Sequence, residues 1–275
     1  MSRRSAFVIT CLAFGYAFLY VPIASMVVYS FNASQLVTVW DHANSPTLKW
    51  FVALLHDQEI LGAAWISLQV AIANATGSVI LGTLAGYGLA RFPRFRGRFA
   101  FTAMTTAPLV MPEVITGLSL LLLFVALEQT IGWPAGRGIG TMIIGHMTFS
   151  MAYVTVVVQS RLATFDRSVE EAAMDLGARP VKVFFVITLP IIFPAIMAGW
   201  LLAFTLSWDD LVISSFTAGP GSNTLPMVVF SMVRLGVNPE INALATLTIT
   251  LVTILVVGAS WLAARARRRA AAAVA

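Results

Sequence analysis

Ser168-Val-Glu-Glu-Ala-Ala-Met-Asp-Leu-Gly177-Ala-Arg-Pro180-Val-Lys-Val-Phe-Phe-Val-Ile187-Thr-Leu189-Pro190 is a charged, helix-forming stretch between two long apolar runs. Ser168 and Glu171 stand at capping-box spacing, so a short helix is expected to open at Ser168. Val169, Ala172, Ala173 and Leu176 recur at i, i+3, i+4 and i+7, one narrow apolar stripe. Gly177 follows where a left-handed turn closes a helix, and Pro180 suits the first position of a second one. The stretch reads as helix, glycine, helix. Small residues at Ala172 and Ala173 let the backbone seat deep in a groove, but periodicity alone leaves a surface helix packed on its own bundle equally open.

The flanks of this stretch decide its surroundings. A hydrocarbon core of about 30 Å takes roughly 20 helical residues to cross. Working outward, residues 138–160 precede the loop as one apolar run and residues 183–206 follow it. The later helix is expected to begin near Ile191 and run to Phe216, because Pro190 and Pro194 suit its first turns. Further out, residues 6–31, 60–90, 99–127 and 241–264 complete six expected spans, the third apolar except for Glu113. Residues 6–31 read as an uncleaved first helix, since the run is long for a signal core and lacks a small-x-small site. The second run repeats Ala71, Ala73, Ala75, Gly77, Gly82 and Gly86, which suits close helix–helix contact.

Composition agrees. Of 275 residues 59% are apolar and 11% charged, with mean hydropathy +0.87, against about 45–50% and about 25% for soluble chains. So few charges cannot cover a soluble surface, which excludes a soluble enzyme and a disordered tail protein. The 17 basic residues sit in clusters at the ends of uncharged runs, the pattern of membrane flanks and not of a phosphate-binding groove, so no nucleic-acid partner is expected. With six spans, one side holds Arg3, Arg4, Arg91, Arg94, Arg96, Arg98, Arg161, Arg167, Arg179, Lys182, Arg265, Arg267, Arg268 and Arg269. The other holds Lys49, Arg137 and Arg234. The positive-inside rule then puts both termini in the cytoplasm. The fold class expected is an all-α membrane protein with residues 1–275 as one transmembrane domain.

Several chemistries are missing. Lys49 and Lys182, the two lysines, follow no Gly-rich phosphate loop, so ATP binding by a P-loop is excluded. His42, His56 and His146 form no His-Glu-x-x-His pair, and no Gly-x-Ser-x-Gly elbow occurs. Cys11 is the single cysteine, so no internal disulfide is possible. No catalytic residue, no metal site and no enzyme activity are expected.

Glu171-Ala172-Ala173, three residues, Gly177, nine residues, then Ile187-x-Leu189-Pro190 resembles the EAA loop of permease subunits in bacterial ATP-binding-cassette importers. The resemblance implies the type I importer permease fold of the inner membrane, with residues 161–190 as the loop whose coupling helix docks on a cytoplasmic ATPase. Glu171, Ala172, Ala173, Gly177, Ile187, Leu189 and Pro190 are then the coupling residues. It further implies two copies of that ATPase, which hold the ATP and Mg absent from this chain, a second and different permease subunit, and a periplasmic binding protein that delivers substrate. Pro108-Leu-Val-Met-Pro-Glu-Val-Ile-Thr-Gly117, Ser207-Trp-Asp-Asp-Leu-Val212 and Gly236-Val-Asn-Pro-Glu-Ile-Asn-Ala-Leu-Ala245 are similar to the polyamine branch of that family, with putrescine as the implied substrate. Importers of another small solute, and a secondary transporter without an ATPase, are the alternatives.

Acidic residues inside apolar runs point the same way. Glu113, Asp209 and Asp210 each carry an insertion cost of about 2.5–3.5 kcal/mol at a bilayer centre, and no basic residue is expected within the spans to pair with them. A cationic substrate is the partner expected, its methylene chain against an aromatic wall for which Trp208 is the candidate. Glu113 also suits the start of a half-helix opened by Pro112. Asp209 and Asp210 lie about 100° apart on a helix, so one is expected on the path and the other in packing.

Overall fold

The computed structural model describes residues 3–36, 39–236 and 238–274, and it is helical without a strand among them. The elements are α1 (Arg3–Tyr29), α2 (Lys49–His56), α3 (Gln58–Arg91), α4 (Arg98–Val110), α5 (Glu113–Ile131), α6 (Ile139–Ala163), α7 (Ser168–Asp175), α8 (Pro180–Val183), a π-turn (Phe184–Thr188), α9 (Leu189–Trp208), α10 (Val212–Thr217), α11 (Leu225–Leu235) and α12 (Pro239–Val274). Five helices among the described residues are long and apolar enough to cross a membrane: Phe7–Tyr29, Gln58–Arg91, Glu113–Ile131, Ile139–Ala163 and Pro180–Trp208. The sixth expected span, 241–264, falls on α12, where Pro239–Ile254 is a shorter apolar helix. Several of its side chains beyond Ile254 lie outside the described residues.

The chain forms two compact units. In the first, residues up to Leu61 and from Val229 onward, α1 and α2 each pack on α12. The linker after α1 is organised by buried Asn32, whose side-chain oxygen accepts from Asp41 N–H and whose carbonyl accepts from the Trp50 indole at 2.7 Å.

The second unit, Gly62–Val228, holds the candidate site. Its centre is the α6–α9 contact, where Val154, Val158, Leu162, Ile192, Ile196 and Ala203 are buried together. On α9 the buried positions Ile192, Ile196, Gly199, Ala203 and Ser207 follow one helical stripe, so the opposite side of the helix is left for other work. The small residues of α3 act as expected. A β-carbon at Gly82 would lie 2.7 Å from Val154 Cβ, and one at Gly86 3.0 Å from the Thr155 carbonyl oxygen, so only glycine allows α3 this close to α6. Buried Asn74 on α3 donates to the Ala203 carbonyl at 2.8 Å and to Ser150 at 3.2 Å, tying α3, α9 and α6 by groups that lipid cannot satisfy.

The third span is interrupted at Pro112, where the half-helix is expected: Met111 is extended (ψ 136°), as suits a residue before proline, and α5 starts anew at Glu113, while Pro108 stays inside α4. One expectation about the spans needs amendment. The fifth does not begin near Ile191. Helix runs without interruption from Pro180 through the π-turn into α9, and it stops at Trp208, with α10 a separate piece. Pro190 lacks the N–H for an α-helical bond and its ring crowds the carbonyl four residues back. The wider π-turn relieves this, with Leu189 N–H donating to the Phe184 carbonyl five residues earlier.

Candidate functional site

The loop around α7 folds as a helix, glycine and helix, with one change at its start. Ser168 is the first residue of α7, with Arg167 at the N-cap position and no side-chain cap; Asp166, one residue earlier, accepts from Ser168 N–H at 3.0 Å and Ser168 Oγ–H at 2.8 Å. The Ser168–Glu171 capping box is therefore absent: Ser168 already lies inside the helix, and Glu171 N–H donates to the Arg167 carbonyl at 3.0 Å. The two bonds from Ser168, the backbone one first, hold the exposed Asp166 carboxyl below its ordinary pKa. Gly177 ends the helix at φ +87°, with Gly177 N–H donating to Met174 O at 2.9 Å and Ala178 N–H to Ala173 O at 3.1 Å, a Schellman closure. Pro180 opens α8 as expected.

The apolar stripe of α7 is not packed on the bundle. Val169 and Leu176 are 44% and 89% exposed, Glu171 and Ala172 are exposed, and Ala173 is half-buried. The residue turned inward is Glu170, which the sequence pattern passed over. It meets Arg91 at the end of α3, and Thr188 of the π-turn donates to its Oε1 at 2.6 Å. Ile187 and Leu189 are half-buried, Leu189 against the α6–α9 core, and Pro190 is exposed.

The acidic residues separate into three environments. Glu113 is exposed in the first turn of α5, where it complements the helix dipole. One turn later Gly117 lets α5 approach Phe216 of α10. Asp210 is turned into the packing: Oδ2 accepts from Ser214 N–H at 2.7 Å and faces His146 Nε2 at 3.2 Å, and Oδ1 accepts from Ile213 N–H at 3.3 Å. His146 is 2% exposed and also touches Ser207 Oγ at 2.6 Å and Ser214 Oγ at 3.0 Å. Nε2 makes its hydrogen bond with Ser214 Oγ and stands beside the Asp210 carboxylate as a charge contact, while Nδ1 is bonded to Ser207 Oγ, so both ring nitrogens are engaged inside the packing. The expectation that only a cation from outside partners these acids fails for Asp210, because His146 comes from α6 to meet it.

Asp209 ends α9 and is exposed. It stands beside Trp208, the last ring of a ladder absent from the sequence reading. Trp200, Phe204 and Trp208 stack along one flank of α9, half-buried, with centroids 5.5 and 5.9 Å apart and planes within 15° for each neighbouring pair, and Trp200 and Phe204 also pack on the α6–α9 core. Their i, i+4, i+8 spacing was the available signal. The Trp200 indole is steadied by Thr76 Oγ1 at 3.3 Å. A row of π faces ending in an uncompensated carboxylate can hold an apolar chain with cationic ends.

Residues 78–272 match the family described as the binding-protein-dependent transport system inner membrane component. This chain belongs to that family. The permease is thus a transport component of the inner membrane and not an enzyme. It is 59% identical over 266 residues to the putrescine transport system permease protein PotI of Escherichia coli (strain K12), covering 97% of this chain and 94% of the relative. To the spermidine/putrescine transport system permease protein PotC of the same strain it is 40% identical over 248 residues, 90% of each chain. Its fold is that of ABC importer permeases. A bacterial ABC transporter involved in the import of the acidic polysaccharide alginate matches with TM-score 0.71 at 17% identity, over 95% of this chain and 98% of that one.

Proposed function

We propose that this permease is the membrane-spanning subunit of an ATP-driven polyamine importer, with putrescine as substrate. The observation that carries the reading is the similarity to the putrescine permease over nearly the whole chain. The aromatic ladder beside Asp209 supports it, since a diamine needs carboxylate for its ends and an apolar wall for its middle. In this reading Glu113, Trp208 and Asp209 line the substrate path, and Asp210 shapes it from behind through His146 and α10. The chain crosses the membrane six times with both termini in the cytoplasm, supported by the basic clusters at the ends of the apolar runs.

The exposed outer face of α7, with Glu171, Ala172 and Ala173, is the contact for a cytoplasmic ATPase present in two copies, which binds ATP and Mg. Gly177, Ile187, Leu189 and Pro190 fix the direction of that helix relative to α9. A second, different permease subunit completes the path, and a periplasmic polyamine-binding protein delivers the substrate. ATPase closure then drives alternating access through α7.

The test is uptake of labelled putrescine into proteoliposomes holding the reconstituted complex, with ATP inside and loaded binding protein outside. Uptake that depends on ATP and is competed by putrescine is expected. Competition by spermidine but not putrescine would move the substrate within the polyamines. ATP-dependent uptake of an uncharged solute in preference to either would overturn the polyamine reading.

A further inference from the structure

Four elements of the second unit meet on one buried ion pair. Arg91 is the last residue of α3 and 8% exposed; Glu170, in the first turn of α7, is 6% exposed. The guanidinium faces the carboxylate at two points: Nη2 donates to Oε1 at 3.1 Å, and Nε lies 2.9 Å from Oε2 as a charge contact off the N–H line. Nη1 reaches the Leu162 carbonyl in the last turn of α6 at 3.3 Å, and the guanidinium carbon sits 5.4 Å from the centre of the Phe165 ring. The other contact on Oε1 is the fully buried Thr188 hydroxyl, at 2.6 Å.

This arrangement fixes direction. A planar guanidinium that donates to the Glu170 carboxylate through Nη2 and to the Leu162 carbonyl through Nη1 has its orientation set as well as its distance. An eight-residue helix is too short to hold itself in water, so α7 takes its orientation from tertiary contacts. With Glu170 inward, Val169 and Leu176 are left outward. A buried ion pair is also a poor way to gain stability, since apolar residues of like volume do as well or better. What it supplies is a stiff, directional link. The π-turn contributes the third member: its widened backbone places Thr188 against Glu170, and π-turns of this kind concentrate at working sites.

We propose that Arg91, Glu170 and Thr188 form a clamp through which a displacement of α7 reaches the ends of α3, α6 and α9 together, making these three the positioning residues that couple ATP hydrolysis to transport. The proposal rests on α7 being the ATPase contact. Without the clamp α7 tilts alone, and hydrolysis proceeds while the spans stay behind.

The experiment uses the complete complex in proteoliposomes and measures three quantities: ATPase retained per permease, ATP hydrolysis stimulated by loaded binding protein, and polyamine uptake. Arg91→Lys keeps the charge and loses the fork; Glu170→Gln keeps the shape and loses the charge; Thr188→Val removes only the hydroxyl. Each variant is expected to retain the ATPase and to hydrolyse ATP, with ATP spent per polyamine raised within the roughly 5- to 150-fold range of typical coupling between sites. The double variant Arg91→Lys/Glu170→Gln should be no worse than the more affected single one, as members of one unit behave. A wild-type ratio in every variant that assembles, with only the yield of complex reduced, would overturn the clamp. Should the two charge variants fail to assemble, the ratio in Thr188→Val decides alone. A wild-type complex that retains no ATPase overturns the functional reading; coupled wild type with unaltered variants overturns only the clamp.

Discussion

His146 Nε2 stands 3.2 Å from Asp210 Oδ2, across 64 residues of chain, and this contact assigns different surroundings to two neighbouring aspartates. Asp210 is committed to His146 and to the backbone of α10, while Asp209 faces outward at the end of the aromatic ladder. Neutral substitutions should therefore have opposite consequences at the two positions.

Asp209→Asn should slow polyamine uptake with little change in melting temperature of the complex. Loss of an ion pair to a partly hydrated amine costs roughly 1–3 kcal/mol, about 5- to 150-fold in rate or affinity. Asp210→Asn should instead lower stability by about 1–3 kcal/mol, since an amide has one accepting oxygen where the carboxylate uses two for the Ile213 and Ser214 N–H groups. Uptake per assembled complex and melting temperature, measured on both variants, separate the two effects. Equal loss of uptake at unchanged stability would contradict the division.

The ladder should be read in affinity. Phe204→Leu keeps an apolar side chain but removes the middle π face, and it should weaken half-saturation for polyamine by about 0.5–1.5 kcal/mol. Phe204→Trp should restore it. If leucine at 204 leaves half-saturation unchanged while maximal uptake falls, the rings serve packing alone.

Gly177 holds φ +87° with nothing within 4 Å of an added β-carbon, so its requirement is conformational and not spatial. Gly177→Val should cost roughly 1–2 kcal/mol in the left-handed region and disturb the Schellman closure of α7. Gly177→Asn should be milder. We expect uptake to fall with valine while membrane insertion persists, and Glu171→Lys on the exposed face to reduce ATPase retention in pull-down. Normal uptake by both, with ATPase bound, would remove α7 from the coupling path.

Asp166 predicts a pH effect local to α7. Its carboxyl is held below the ordinary value by the Ser168 N–H and then its hydroxyl, so its contribution is full above the ordinary carboxylate pKa and is lost as pH falls through the lowered one. Hydrogen-exchange protection at the first amides of α7 should drop over that acid window in the native chain. Asp166→Asn keeps an acceptor and should flatten the pH dependence, and Asp166→Ala should lower protection above the acid window to the level the native chain reaches below it. The carboxylate is exposed and screened, so the effect should stay confined to α7.

Much was legible from the chain. Long uncharged runs identify spans because backbone groups in lipid must be satisfied within a helix. Gly177 and Pro180 are backbone-determined, and their roles follow from φ alone. The small residues of α3 foretell close packing for the same reason of size. What the chain did not show depends on which faces meet. Glu170 and Glu171 are adjacent and chemically alike, yet one pairs with Arg91 from 79 residues away and the other is exposed. Asp209 and Asp210 part in the same way through His146. The π-turn, too, arises from Pro190 acting within a continuous helix, where the sequence suggested a start. Local pattern determined the elements and their ends, because those depend on covalent geometry and solvation. Only the tertiary structure decided which of two identical carboxylates is buried, because that depends on the counter-charge another helix brings to it.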